Sequence, residues 1–244
     1  MKITEIKKNA KNRRTDYSVE GSDYVFLNTI RRIIIDEVPT IAIEDVEMHK
    51  NDSALYDEMI AHRLGLLPLT TDLKSYNYKE NCKCNGEGCA RCTVNFTLKK
   101  KGPSVVYAED LKSSDPKIKP VYPKTIILKL LKDQEISLLA TAVIGKGKDH
   151  IKFSPGLPYF RFEPVVKVLK SDCEKKKECV GICPKKVFEI KSSKLSVNQK
   201  NLNACDLCGA CIDSFPECVD VKPNEKKFIF SIESWGQLKN KKIF

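Results

Sequence analysis

Four cysteines fall within fourteen residues in CDLCGACIDSFPEC, positions 205 to 218, and three of them are spaced C-x-x-C-x-x-C. Thiolates are soft ligands, and this spacing wraps three of them round an iron–sulfur cluster, so the chemistry on offer is electron transfer or a structural staple. In the two-cluster template, each run reads C-x2-C-x2-C-x3-C-P and its fourth cysteine serves the other cluster. Two runs of this chain can be laid on that template. Cys173, Lys176, Cys179 and Cys183-Pro184 fill the first, while Cys205, Cys208, Cys211 and Phe215-Pro216 fill the second. Each run has lost one cysteine, yet the crossed wiring leaves Cys183, Cys205, Cys208 and Cys211 as a complete set of four. One cluster is expected there, 4Fe–4S or 3Fe–4S. The other site keeps Cys173 and Cys179, with Cys218 offset from its slot. These three read as an incomplete second cluster, or as a Cys173–Cys179 disulfide, or as thiols. A carrier that moves electrons between two clusters is poorly served by such a loss. A ferredoxin-sized module would also leave most of the 244 residues unexplained.

A second group, NCKCNGEGCARC, places Cys82, Cys84, Cys89 and Cys92 at C-x-C-x4-C-x2-C, with Gly86 and Gly88 between the pairs. Four converging thiolates need a tight backbone, which glycine permits, and tetrahedral zinc is the ion that suits them. The alternative is an unmetallated cluster. No histidine or carboxylate is placed to leave an open catalytic position, so a bound metal would be structural.

Eleven cysteines gathered into two regions point to metal ligands in a reducing compartment more than to disulfides. The N-terminus MKITEIKKNAKNRRTD is polar, and no run approaches eighteen apolar residues. A cytoplasmic location without membrane contact is expected. The formal net charge of +11 raises nucleic acid as a partner, and residues 165 to 200 hold ten Lys against four Asp or Glu. A solvated basic face explains that excess equally well.

The elements that must carry these loops read as mixed α and β. In DYVFLNTIRRIIIDEVPT, Phe26, Ile30, Ile33 and Ile34 recur at helical spacing until Pro39, predicting an amphipathic helix of about four turns. IAIEDVEM and KTIILKLL read as strands, and FIFSIES puts Phe228, Phe230 and Ile232 on one face by alternation. His62 and Arg63 in AHRLGLLPL read as packed structural residues. Asp57 and Glu58 read as helix-face charges, because adjacent helical residues point apart.

The stretches SALYDEMIAHRLGLLPL, FLNTIRRIIIDEVPTIAIEDVEM, HIKFSPGLPYFRFEP and FIFSIESWGQL, in that family's order along nearly the whole chain, resemble the archaeal RNA polymerase D subunits. That family includes the bacterial alpha subunit, and its archaeal members can carry an inserted ferredoxin-like module. The resemblance implies an α+β fold with an alpha-like dimerisation domain from residues 1–46, 150–166 and 224–244. It also implies an insert domain at 47–149, containing the 82–92 loop, and a ferredoxin-like iron–sulfur domain at 167–223. The helix with Phe26, Leu27, Ile30, Ile33 and Ile34 would pack on subunit L. The heterodimer would then collect subunits N and P and the two large polymerase subunits. The nucleotidyltransferase chemistry belongs to the whole enzyme, and DNA would be met only inside it. No catalytic residue is expected on this chain, which offers no D-x-D-x-D constellation and no Gly-rich phosphate loop. A ferredoxin-like redox protein or sensor, and a zinc-dependent nucleic-acid binder, are the competing classes. The family continues past the ESWGQL-like motif with a long helix, whereas this sequence stops at KNKKIF, so a smaller interface or a truncated chain is expected.

Overall fold

A computed structural model describes all residues from Met1 to Phe244. In chain order the elements are β1 (Lys2–Asn9), β2 (Arg14–Glu20), α1 (Tyr24–Asp36), β3 (Thr40–Asn51), α2 (Asp57–Gly65) and β4 (Thr93–Lys101). β5 (Ser104–Tyr107), β6 (Lys112–Ser113), β7 (Ile126–Leu130), β8 (Glu135–Gly145) and β9 (Gly156–Val168) follow. The chain closes with α3 (Lys176–Ile182), β10 (Phe188–Lys191), β11 (Lys194–Val197), α4 (Ala210–Ser214), β12 (Val219–Ser234) and α5 (Asn240–Ile243). None of the helices is long and apolar enough to cross a membrane.

The chain divides into two compact units: Met1–Ile6 with Asp16–Leu27 and Phe160–Phe230, and Lys7–Thr15 with Asn28–Tyr159 and Ser231–Phe244. One sheet has the strand order β1-β2-β12-β9 and another the order β3-β8-β4-β6, and the pairs β5-β7 and β10-β11 form two-stranded sheets. β8 is central in the second sheet and antiparallel to both β3 and β4. Its Ile136, Leu138, Ala140, Ala142 and Ile144 alternate into the core against Val94, Phe96 and Leu98 of β4. α2 lays Ile60 and Leu64, four residues apart, into the same core.

The Asp23 carboxylate accepts from the N–H of Phe26 over 2.7 Å and so caps α1, which ends three residues before Pro39. The predicted apolar face of α1 is in fact two stripes. Leu27 and Ile34, seven residues apart, are 1 % and 2 % exposed, while Phe26 and Ile33, also seven apart, remain 43 % and 45 % exposed. A helix turns about 100° per residue, so the two pairs sit on adjacent faces and only one can point into the chain. The expectation that Leu27 and Ile34 meet a partner is therefore corrected: the chain's own packing occupies them. The strand prediction over Phe228–Ser234 holds, but Ile229 and Ser231 are buried alongside Phe228, Phe230 and Ile232, so β12 is covered on both faces there.

Candidate metal centres

The first centre lies on the loop that runs from the short helical turn Lys79–Asn81 to the start of β4 at Thr93. Gly86 at φ +86° and Gly88 at φ +98° occupy conformations that glycine adopts freely, and they fold the loop back on itself. The N–H groups of Cys92 and Thr93 both donate to the Cys89 carbonyl over 2.9 Å, which turns Cys89 and Cys92 toward a common point. The four sulfurs of Cys82, Cys84, Cys89 and Cys92 lie within 4.8 Å of one another. Cys82 Sγ is 3.5 Å from Cys89 Sγ, Cys84 Sγ is 3.5 Å from Cys92 Sγ, and Cys89 Sγ is 3.9 Å from Cys92 Sγ. A tetrahedral ion with metal–sulfur bonds of about 2.3 Å needs sulfur–sulfur edges of about 3.8 Å. The loop thus holds the donor set for one tetrahedral ion.

Its electrostatics are uneven. The Gly88 N–H holds the Cys84 thiol down to about 6, whereas burial pushes Cys92 up to about 12. One thiolate is ready at neutral pH, and a cation must draw the proton from another.

The second centre is built by α3, α4 and the loops around them. Cys183 follows α3, Cys211 lies in α4, and Cys205 and Cys208 stand on the loop between the turn Leu202–Ala204 and α4. Leu207 at φ +58° and Gly209 at φ +82° are both left-handed, so the backbone curls as it delivers Cys205, Cys208 and Cys211. For Leu207 that conformation is strained, of the kind that persists where the surroundings impose it. All four cysteines line one cavity, with Val187, Phe188 and Val221 among its walls. Burial raises the pKa of Cys205 and Cys211, and the neighbouring Cys183 raises both further. For Cys205 and Cys211, a nearby cationic centre would offset this and favour the thiolates. Cys183, Cys205, Cys208 and Cys211 thus share one cavity wall.

The remaining three part company. Cys173 is disulfide-bonded to Cys218, and Cys179 is a free, fully buried thiol. Of the alternatives the sequence left open, the Cys173–Cys179 disulfide is not formed: α3 places Cys179 in the core beside Cys211 and Cys183, where burial pushes its thiol up to about 11. The bonded pair leaves Cys173 and Cys218 with no thiolate to offer a second cluster.

The expectation that His62 and Arg63 are packed is corrected: both lie exposed on α2, as Asp57 and Glu58 do, and it is Ile60 and Leu64 that turn inward. Arg63 Nη2 donates to the Ile126 carbonyl over 2.7 Å, and His62 lies in the last turn of α2, its carbonyl accepting from the Leu66 N–H. Asp57 accepts from Asn51 Nδ2 over 2.7 Å at the start of α2, where negative charge is favoured.

Within this mixed α/β chain, residues 41–155 match the RNA polymerase Rpb3/RpoA insert domain, a domain of alpha-like polymerase subunits. It is 40 % identical over 233 residues to the DNA-directed RNA polymerase subunit Rpo3 of Methanosphaera stadtmanae, covering 93 % of this chain and 86 % of that one. The Methanothermobacter thermautotrophicus Rpo3 is 40 % identical over 232 residues with the same coverage. The Methanosarcina acetivorans Rpo3 is 36 % identical over 227, covering 92 % of this chain and 85 % of that one. The chain belongs to the Rpo3 family of DNA-directed RNA polymerase subunits, in which the complex is the enzyme.

Proposed function

We propose that this chain is the non-catalytic platform subunit of its polymerase, pairing with the small alpha-like subunit L before subunits N and P and the two large subunits join. The observation that carries this reading is the similarity to Rpo3 proteins over 93 % of the chain. The exposed stripe of Phe26 and Ile33 on α1 supplies an apolar surface of the type that seats a partner helix. Residues 1–46, 150–166 and 224–244 act as the dimerisation domain, 47–149 as the insert domain and 167–223 as a ferredoxin-like domain. DNA is met only within the assembled enzyme, in the cytoplasm.

Cys183, Cys205, Cys208 and Cys211 hold one iron–sulfur cluster, and Cys82, Cys84, Cys89 and Cys92 hold zinc as a structural ion. The cluster supplies four metal–thiolate bonds that hold the 167–223 module together, tying assembly to iron and oxygen supply. The test is anaerobic co-expression with subunit L, followed by size exclusion and iron, sulfide and zinc analysis of the peak. A stable heterodimer carrying one cluster is expected. A monomer that ignores L and cycles its iron reversibly would return the chain to the electron carriers.

A further inference from the structure

We propose that Arg161 is the positioning residue for the cluster's ligand loop, a role that rests on reading Cys183, Cys205, Cys208 and Cys211 as the ligands. Arg161 lies in β9, between Phe160 and Phe162. Phe160 stacks on Phe230 with ring centroids 6.3 Å apart, and Phe162 packs on Phe228 at 5.0 Å. Strand alternation therefore sends Arg161 to the opposite side of β9. There its Nη1 donates to the carbonyl of Cys205 and its Nη2 to the carbonyl of Asn203.

Three features make this more than an incidental contact. The two carbonyls close the short turn Leu202–Ala204, immediately before the C-x-x-C-x-x-C loop, so the guanidinium grips the chain at the first ligand itself. Both arms of the fork are used at once, and a lysine could not reproduce that geometry. Glu163, two residues along β9 and so on the same side, is already engaged by Lys227 at 3.2 Å, and Lys227 also pairs with Glu20 at 3.0 Å. Arg161 thus keeps its positive charge for the ligand loop. Charged donors make the stronger hydrogen bonds.

Two consequences follow for a bound cluster. Its Cys205 ligand is anchored to a strand whose other side is locked by the packing of four phenylalanines, which slows opening of the loop. A fixed cation beside the ligand carbonyl also favours the more negative, reduced form of the cluster, because net charge and nearby hydrogen bonds set its potential.

The experiment loads the full chain anaerobically with ferrous iron and sulfide, as wild type, Arg161→Met and Arg161→Lys. It reads iron per chain, the rate of iron release to a chelator, and the midpoint potential by an EPR-monitored titration. Arg161→Met is expected to release iron about tenfold faster or more, the scale set by losing hydrogen bonds from a charged donor, and to titrate at a more negative potential. Arg161→Lys should keep the potential close to wild type yet still release iron faster, and it decides the matter if the Met variant does not fold. Release and potential unchanged in both variants would overturn the role while leaving the cluster in place. Faster release at an unchanged potential in Arg161→Met would reduce Arg161 to a packing contact and overturn the proposal as well. A wild-type chain that takes up no iron and sulfide would overturn the cluster reading itself, and the role of Arg161 with it.

Discussion

The phenolic hydroxyl of Tyr76 donates to Asp115 Oδ2 over 2.6 Å, linking residues 39 positions apart at the entrance to the cysteine loop. The next residue, Asn77, donates its N–H to the Arg91 carbonyl over 2.8 Å, so entry and exit of that loop are moored beside the pair. The Tyr76 hydrogen bond, helped by the Lys117 N–H, holds the Asp115 carboxyl below the usual carboxylate range. Burial, then Asp115 itself, pushes the Tyr76 phenol up. A group with a depressed folded pKa stabilises the fold above its unfolded pKa, and that stability is lost as pH falls through the folded value. Tyr76→Phe should therefore cost about 1–3 kcal/mol near neutrality, and its stability should fall less steeply on acidification. Urea unfolding along the acid limb checks both, and a slope as steep as wild type would contradict the account.

The tetrahedral loop leads to a second expectation. Binding a metal displaces the proton that burial holds on Cys92, so zinc affinity should fall as pH falls. Wild type should carry one zinc per chain, and Cys92→Ser should carry none. Metal analysis after dialysis at descending pH reads this directly, and zinc retained by the serine variant would remove Cys92 from the donor set.

Cys208 is the exposed member of the second set, so its replacement disturbs the folded core least. In Cys208→Ser the cluster should be lost and amides in 167–223 should lose protection from hydrogen exchange, while 41–155 keeps its own. A module that stays fully protected without iron would show that packing alone holds it.

The two stripes of α1 separate folding from partnership. Leu27→Ala should lower stability by about 2–5 kcal/mol, as for other buried leucines. Phe26→Asp and Ile33→Asp should leave the unfolding midpoint nearly unchanged and abolish co-elution with subunit L. Co-elution that survives both aspartates would place the L-binding surface elsewhere.

Much of this was legible in the chain because spacing alone decides it. The helix at Tyr24–Asp36, the strands around IAIEDVEM and FIFSIES, and the convergence of Cys82, Cys84, Cys89 and Cys92 follow from local periodicity and ligand spacing. What escaped depends on contacts distant in sequence. The Cys173–Cys218 bond joins residues 45 apart, and Cys218 sits off the template, so no spacing rule selects it. Arg161 lies more than forty residues from the carbonyls it grips, in a strand with no other sign of chemistry. Which stripe of α1 turns inward is likewise settled by packing, since both carry residues of equal apolarity. The left-handed φ of Gly209 was open to suspicion from the sequence, but that of Leu207 had no residue-type signal.

The Cys173–Cys218 bond encloses every one of Cys183, Cys205, Cys208 and Cys211. A cross-link closing a loop of this length removes about 4 kcal/mol of chain entropy from the unfolded segment. An emptied module would then be a slack ring instead of a free coil. Its ends stay tied and its ligands stay near one another, so iron returning after a shortage meets a mould that only has to tighten. While that bond stays oxidised the ring outlasts the metal, and a subunit caught without its cluster remains repairable.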